Sequence, residues 1–294
     1  MYTEIWNDIK GSFRKGSVIT RLIYAQLAIF LLFRGVRVIL FLSGSSLDLA
    51  DFFMLPASFG GWLARPWTLI SYMFLHVNFL HILFNLLVLY WFGRLFLEYY
   101  TPRQLLGLYL LGGLAGGLVY MGGYNFFPVF EGMVRSSLLL GASASVAAIL
   151  IAPAFRDPNR EIRLLLIGNV PLKFLALFMI ISYILGISTS NPGGNLAHLG
   201  GVVAGWFFFR QERRGSDIAR PFYQVADWLA GLFTPRKTVR VVHRQPPRDD
   251  YEYNRQRSAD HLELNRILDK ISTEGYDSLT KTEKEILFRH GKQT

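Results

Sequence analysis

Six long apolar stretches are the feature that most limits what this chain can fold into. A helix of about 17–25 apolar residues crosses the hydrocarbon core of a bilayer. The stretches cover residues 22–42, 76–92, 105–127, 136–155, 170–187 and 196–209, and the last is short. Because every backbone polar group must be paired inside lipid, the pattern predicts an all-α, polytopic membrane protein built as a six-helix bundle.

The charged residues are distributed unevenly along the chain. Residues 1–209 hold 14 Lys or Arg and 8 Asp or Glu, whereas residues 210–294 hold 17 and 13. Charged residues make up only 18% of the whole chain, against roughly 25% in a soluble domain. A single soluble globule is therefore excluded. The chain has no cysteine, which also excludes a disulfide framework and a cysteine nucleophile.

The short loops predict the orientation of the spans. Lys and Arg precede the first stretch and occupy the loops after the second and fourth stretches, whereas the opposite loops hold few of them. Cytoplasmic loops carry the excess of Lys and Arg, so both termini are predicted to be cytoplasmic. The second, fourth and sixth spans then all begin at the outer face.

Polar residues inside spans are costly, and their presence indicates function. They form three clusters, each near the start of an even-numbered span. The clusters are His76, His81 and Asn85; Gly141 and Ser143; and His198 followed by Gly201 and Gly205. Because these spans begin at the same face, we expect the three clusters at one depth in the outer part of the membrane.

Ser143 and His198 are the residues that could react. Glycines at positions 201 and 205 and the small residues around Ser143 allow the fourth and sixth spans to approach closely. A serine hydrogen-bonded to a neutral histidine is the minimum activated nucleophile, with the histidine as general base. No acidic residue is available at this depth to orient the histidine. The pattern therefore predicts a dyad rather than a triad.

His81 and Asn85 are candidate donors to an oxyanion. They are four residues apart and share one helix face, and the Ser143 backbone N–H is a third candidate. Asn85 could instead tie two spans together, and Ser143 taken alone could be a packing residue. The chain lacks an H-E-x-x-H motif and an intramembrane pair of carboxylates, so neither a metal site nor a cofactor is predicted.

The three clusters together resemble the rhomboid family of intramembrane serine proteases. HVNFLHILFN fits the family's H-x4-H-x3-N, GAS fits its G-x-S, and AHLGGVVAG fits its A-H-x2-G-x3-G. The resemblance covers about residues 15–212 and points to the bacterial six-span type. It implies that Ser143 is the nucleophile and His198 the general base. It also implies oxyanion contacts from His81, Asn85 and the Ser143 backbone N–H.

The resemblance also implies partners and a location. Family members cut single-pass membrane proteins near the outer face, so the expected partners are such substrates and the lipid bilayer, and the expected location is the bacterial inner membrane. Supporting positions in the motifs are His76, Gly141, Gly201, Gly205 and Trp67.

Three positions depart from the family pattern. The residue after the nucleophile is often glycine, and here it is Ala144. An aromatic residue one turn after the nucleophile often stacks on the catalytic histidine, and here that position is Ala147. The family's Trp-Arg pair in the first outer loop is half present, because Thr68 follows Trp67 and Arg65 is displaced upstream.

The polar tail predicts two further parts after a membrane domain of residues 1–212. Residues 213–258 are interpreted as a cytoplasmic linker, with an amphipathic segment at 222–233 that could lie on the inner leaflet. Residues 259–294 predict a small helical hairpin whose second helix opens with a capping box at Thr280 and Glu283. The tail has no aromatic platform for nucleic acid, and attraction to anionic lipid explains its basic balance better.

Three hypotheses for function remain open from the residues. The first is an intramembrane serine endopeptidase. The second is an inactive rhomboid-like adaptor that binds transmembrane helices, although such relatives characteristically lack the serine or histidine that this chain keeps. The third is a transporter, which is disfavoured because no ionisable relay reaches the cytoplasmic half and no internal repeat is evident.

Overall fold

Six helices occupy the regions where six spans are predicted. The computed structural model describes residues 11–13, 16–164, 167–233 and 250–291. The six helices are α1 (Val18–Leu42), α2 (Phe79–Phe96), α3 (Pro102–Phe126), α4 (Ser143–Arg156), α5 (Leu172–Gly186) and α6 (Pro192–Glu212). Short helices at Phe59–Ala64 and Thr68–Ser71 lie in the loop between α1 and α2.

The helices confirm the expected class, a polytopic helical membrane bundle. Within the described residues, α1, α2 and α3 are long and apolar enough to cross a membrane, and α4 and α5 are shorter apolar helices. The described strands form two small antiparallel pairs outside the helices. They are β1 (Leu55–Pro56) with β2 (Leu138–Leu139), and β3 (Glu161–Leu164) with β4 (Gly168–Pro171).

The start of α2 differs from the sequence prediction. The second span was expected to open at His76, but α2 begins at Phe79. Asn78 is extended (φ −152°, ψ 176°), and its side-chain oxygen accepts a hydrogen bond from the His81 N–H at 2.8 Å. This is the geometry of an N-cap, which fixes the first turn of a helix. His76 therefore lies in the turn before the helix.

The start of α4 also differs from the prediction. The fourth span was expected from residue 136, but α4 begins at Ser143. The segment before it pairs with the first outer loop, with Leu139 opposite Leu55. Gly141 then adopts φ +129°, a conformation that excludes it from a helix and favours glycine. Gly141 was expected among the small residues inside the fourth span, but it lies in the segment before α4.

Helices α3, α4 and α6 form the centre of the bundle. Side chains from Ala144 to Ala154 of α4 are all buried. Glycines of α3 permit this packing: a Cβ atom on Gly116 would lie 2.6 Å from the Ala144 Cβ and 2.8 Å from the Ala197 carbonyl oxygen. Real Cβ atoms do not approach so closely, so only glycine fits at this position, where α3 packs against both α4 and α6.

Helices α1 and α5 lie at the periphery. In α5 only Leu172 and Ala176 are buried. In α1 the buried residues are Ile19, Leu22 and Gln26, all in its first half. The remaining apolar side chains of both helices are at least partly exposed, as expected for surfaces that face lipid.

A seventh helix, α7 (Arg220–Phe233), follows the bundle and packs against the start of α3. A Cβ atom on Gly107 of α3 would lie 2.5 Å from the Ala219 carbonyl oxygen, so the two backbones are in close contact. The outward face of α7 exposes Val225, Trp228 and Leu229. These residues recur at helical spacing and form one apolar stripe.

The chain divides into two compact units, residues 1–234 and 235–294. In the second unit, α8 (Asp250–Glu274) and α9 (Lys281–Gly291) form a helical hairpin. Its first helix begins earlier than residue 259, where the hairpin was expected to start. The Thr280 N–H and hydroxyl both donate to the Glu283 carboxylate, at 2.8 and 2.9 Å, and the Glu283 N–H donates back to the hydroxyl at 3.3 Å. These reciprocal bonds are a capping box.

Candidate active site

A serine and a histidine from neighbouring central helices meet inside the bundle. The Ser143 Oγ lies 2.5 Å from the His198 Nε2, although the two residues are 55 positions apart in sequence. Ser143 is the first residue of α4, and His198 lies in the second turn of α6. A hydrogen bond of this length and pairing is what general-base activation of a serine requires.

The helix start at Ser143 leaves backbone donors available beside its hydroxyl. The first N–H groups of a helix have no partner within the helix, and Ala142, at the N-cap position, makes no side-chain capping bond. Among the described residues, no carbonyl accepts from the Ser143 N–H. These free donors, together with the positive end of the helix dipole, form a favourable environment for an oxyanion.

Gly141 has two properties that suit its position before the nucleophile. Its φ of +129° is one that glycine tolerates and side chains rarely adopt. A Cβ atom there would also lie 3.0 Å from the His81 Cε1 and 3.1 Å from its Nε2. Glycine therefore lets the His81 ring lie directly against the backbone that leads into Ser143.

One hydrogen bond to the His81 ring indicates which nitrogen carries its proton. The Val77 N–H donates to the His81 Nδ1 at 3.4 Å. In a neutral imidazole one nitrogen accepts and the other donates, so the proton lies on Nε2. That nitrogen is on the side of the ring that approaches Gly141. The tautomer thus presents an N–H toward the backbone next to Ser143.

Asn85 lies one turn below His81 on the same face of α2. Its side-chain amide nitrogen donates to the His81 carbonyl at 2.9 Å, and the residue is buried. An amide nitrogen carries two N–H groups, so one remains after this bond. This arrangement allows Asn85 both to stabilise the helix and to donate to a bound group.

These side chains line one cavity of about 260 Å³. Its walls come from the starts of α2, α4 and α6 and from the segments that precede these helices. The lining includes the catalytic candidates and residues not singled out from sequence. In chain order it is formed by Tyr72, His81, Asn85, Leu139, Leu140, Gly141, Ser143, Ala144, Asn191, Gly194, Ala197 and His198.

The His198 ring is held without a carboxylate. Its Nδ1 is buried and has no hydrogen-bond partner among the described residues. The aromatic ring next to it belongs to Tyr183 of α5, with the ring centroids 4.5 Å apart and the planes at 49°. Ala147, where an aromatic residue could have been expected, is buried in α4.

Close helix approach at Gly201 and Gly205 brings α6 against α4. A Cβ atom on Gly201 would meet the Ala144 carbonyl group, 2.9 Å from its carbon, and one on Gly205 would lie 2.6 Å from the Ala148 carbonyl oxygen. The expected contact between the fourth and sixth helices is therefore present, and it occurs at the residue next to Ser143.

The remaining supporting candidates, His76 and Trp67, also do not line the cavity. His76 is buried, and its ring packs edge-on against His81 at a centroid distance of 5.1 Å. Trp67 is 40% exposed, and its indole N–H donates to the Phe52 carbonyl at 3.1 Å. Arg65 donates to the neighbouring Asp51 carbonyl at 3.0 Å. The displaced arginine and the tryptophan thus still bind the same stretch of the first outer loop.

Sequence reasoning missed three residues that position the catalytic candidates. Asn78 and Asn191 cap the helices that carry His81 and His198, with side-chain oxygens that accept from the His81 and Gly194 N–H groups. Asparagine at the edge of an apolar run is a recognisable N-cap signal and could have identified both. Tyr183 carried no comparable signal, because it lies in a uniformly apolar helix.

The fold and the site define a polytopic helical membrane protein that carries a serine–histidine pair within its bundle. The chain belongs to the rhomboid family, a family of the intramembrane protease type, because the family model described as Rhomboid domain matches residues 63–211. A second family model, described as a family of unknown function (DUF6576), matches residues 249–293.

One curated relative has a similar sequence. The chain is 31% identical over 160 residues to the RHOMBOID-like protein 12, mitochondrial, of Arabidopsis thaliana. The match covers 51% of this chain and 48% of the relative, so the chain spans about half the length of the curated relative that it matches.

Proposed function

We propose that this protein is an intramembrane serine endopeptidase that uses a Ser143–His198 dyad. The observation that carries the proposal is the hydrogen bond of 2.5 Å between the Ser143 Oγ and the His198 Nε2. A serine that served only as a packing residue would have no need of a histidine from another helix. Family membership supports the same reaction class.

The reaction follows from the positions of these two groups. As the Ser143 Oγ attacks the carbonyl carbon of the scissile peptide bond, the His198 Nε2 takes the hydroxyl proton. The same proton then passes to the leaving amine, which gives an acyl-enzyme. Water then attacks the ester and loses a proton to Nε2, and Nε2 returns this proton to the Ser143 Oγ as the acid leaves, which regenerates both residues. In the resting enzyme the His198 proton must lie on Nδ1, so that Nε2 can accept.

Three donors support the negatively charged oxygen of the tetrahedral intermediate. They are the Ser143 backbone N–H, the His81 Nε2–H and the second N–H of the Asn85 amide. All belong to residues that line the same cavity. Donors held by helix starts need no reorganisation during the reaction, which is the source of their effect on rate.

The proposed substrates are single-pass membrane proteins, cut in or near their transmembrane segments. A catalytic group within a membrane bundle is accessible to a polypeptide that is itself in the bilayer. The Lys and Arg distribution supports a multi-pass protein whose termini are both cytoplasmic and whose active site faces outward. The bacterial inner membrane is the location proposed with this topology.

Cleavage of a model single-pass substrate by the protein reconstituted in liposomes tests the proposal. The decisive variant is Ser143→Ala, and Ser145→Ala is its matched control because Ser145 is fully buried and its hydroxyl has no partner among the described residues. We expect Ser143→Ala to abolish cleavage and labelling by a fluorophosphonate, and Ser145→Ala to retain both. Cleavage that persisted in Ser143→Ala would refute the dyad.

The same experiment separates an enzyme from an adaptor. An inactive rhomboid-like adaptor would bind the model substrate in a pull-down but would neither cut it nor react with the fluorophosphonate. We expect the wild-type protein to react covalently at Ser143, as identified by mass spectrometry of the labelled peptide.

A further inference from the structure

The His198 imidazole has few contacts that fix its orientation. Its Nε2 bonds to Ser143, while its Nδ1 is buried without a hydrogen-bond partner in the described part of the chain. Rotation of a histidine ring about χ2 is soft, since that torsion has broad minima. A ring that is hydrogen-bonded at only one nitrogen needs packing on its face to stay aligned with the serine.

That packing comes from a helix that carries none of the candidate reacting groups. The Tyr183 ring of α5 lies 4.5 Å from the His198 ring, at an interplanar angle of 49°. This distance is at the near end of the range for interacting aromatic rings. One turn after Ser143, the α4 helix offers only the methyl group of Ala147. The aromatic surface beside His198 is therefore supplied by α5.

We infer that Tyr183 is a positioning residue that holds the His198 imidazole in line with Ser143. The inference rests on the proposed dyad and adds to it the group that aligns the base. The described residues contain no hydrogen-bond partner for the Tyr183 hydroxyl. The flat ring, rather than the hydroxyl, is thus the part that acts.

The position of Tyr183 also links the alignment of His198 to the position of α5. The buried residues of α5, Leu172 and Ala176, lie in its first half, and most of the helix surface is exposed. Tyr183 lies a further two turns along, next to α6. A displacement of this end of α5 away from α6 would remove the ring from His198, so the dyad would be aligned only while α5 stays packed.

The test compares Tyr183→Leu with Tyr183→Phe in the full-length protein in liposomes. Leucine keeps an apolar side chain but removes the flat ring, whereas phenylalanine keeps the ring. Phe178→Leu is the matched control, because Phe178 lies on the same helix with 67% of its surface exposed. We expect Tyr183→Leu to lower kcat by about 10- to 100-fold, with KM within about twofold of wild type, because misalignment at the reacting atoms is costly.

The rate of fluorophosphonate labelling separates positioning from substrate access. The probe needs no transmembrane substrate, so its reaction rate reports the state of the dyad alone. We expect Tyr183→Leu to slow labelling in parallel with kcat, and Tyr183→Phe and Phe178→Leu to label at close to the wild-type rate. Labelling of Tyr183→Leu at the wild-type rate would overturn the inference, and so would a Tyr183→Phe variant as slow as Tyr183→Leu.

A spectroscopic measurement keeps this inference distinct from the proposed function. A ring packed on His198 shifts its imidazole resonances whether or not the protein is active. In protein with isotope-labelled histidine, we expect the His198 signal to move in Tyr183→Leu and to stay in place in Tyr183→Phe. An unchanged signal in Tyr183→Leu would overturn the inference. If the His198 signal moves in Tyr183→Leu but the wild-type protein never reacts with the fluorophosphonate, only the proposed dyad is refuted.

Discussion

Replacement of Gly201 by alanine tests whether the approach of α6 to α4 sets the geometry of the site. A Cβ atom at this position would meet the backbone carbonyl of Ala144, 2.9 Å from its carbon. Carbon atoms in contact lie about 3.5–4.0 Å apart, so the helices must separate locally by at least about 0.6–1.1 Å, and the Ala144 carbonyl oxygen lies closer still. The obstacle is backbone rather than the end of a flexible side chain, and it cannot rotate away.

The separation acts directly on the nucleophile, because Ala144 is the residue after Ser143. A shift of about 1 Å between reacting groups lowers rates by about 100-fold. Overpacking of a close helix contact costs about 1–3 kcal/mol of stability. We therefore expect Gly201→Ala to fold, with a modestly lower melting temperature, and to lose about 10- to 100-fold in the rate of substrate cleavage and of fluorophosphonate labelling.

Two further glycine variants serve as comparisons. Gly122→Ala is the matched control, because among the described residues a Cβ atom there would have only Phe126 within 4 Å, at 3.9 Å. Gly205→Ala would place its Cβ 2.6 Å from the Ala148 carbonyl oxygen, one turn further from Ser143. It should destabilise the protein comparably but slow labelling less than Gly201→Ala. Wild-type labelling rates in Gly201→Ala would refute the argument that this contact sets the dyad distance.

Three other predictions concern separate parts of the chain. Asn85→Ala should slow cleavage at least tenfold by removal of one oxyanion donor, and an unchanged rate would show that the residue only packs. Hydrogen bonds from Thr280, above all from its backbone N–H, lower the pKa of Glu283 from 4.5 to about 2. The ionised Glu283 carboxylate therefore stabilises the hairpin fully above about pH 4.5, and this stabilisation is lost as the pH falls toward 2. Hydrogen exchange should show the hairpin opening in acid, and Thr280→Ala should reduce the stabilisation that Glu283 provides. The amphipathic pattern predicts that the exposed apolar stripe of α7 lies on the inner leaflet. A fluorophore on Trp228→Cys should then be quenched by lipid-borne quenchers and one on Ala230→Cys should not; equal quenching at both sites would contradict this orientation.

The sequence was sufficient to predict the six apolar helices and the contact between Ser143 and His198, because both predictions depend on local signals. Apolar length identifies a span, and a polar side chain within it is conspicuous. The starts of α2 and α4 were misplaced because they depend on particular interactions. Asn78 caps α2, and the pairing of Leu139 with Leu55 keeps the segment before α4 extended. Pairing between two short segments of distant loops produces no hydrophobic periodicity in either segment.

The misplaced start of α4 changes how Ser143 is understood. Within the second or third turn of a span, its backbone N–H would be committed to a helical hydrogen bond and could not bind an oxyanion. At the first position of α4 that N–H has no backbone partner among the described residues, and the same residue can offer both hydroxyl and N–H. The proposed mechanism therefore depends on a boundary of a few residues, which hydropathy alone does not determine.

The contact between Tyr183 and His198 shows why a departure from a family pattern does not by itself argue against activity. Ala147 places only a methyl group on α4 at the position where the family often has a ring that packs on the histidine, and sequence comparison within that helix can only register the loss. Packing depends on the volume around the imidazole, and any helix that reaches it can supply the ring. Here the ring comes from α5, whose inward-facing positions are set by tertiary contacts rather than by its nearly uniform apolar sequence. Because the replacement ring is on a peripheral helix, the alignment of the base should be more sensitive to the position of α5 than it would be with an aromatic residue on α4.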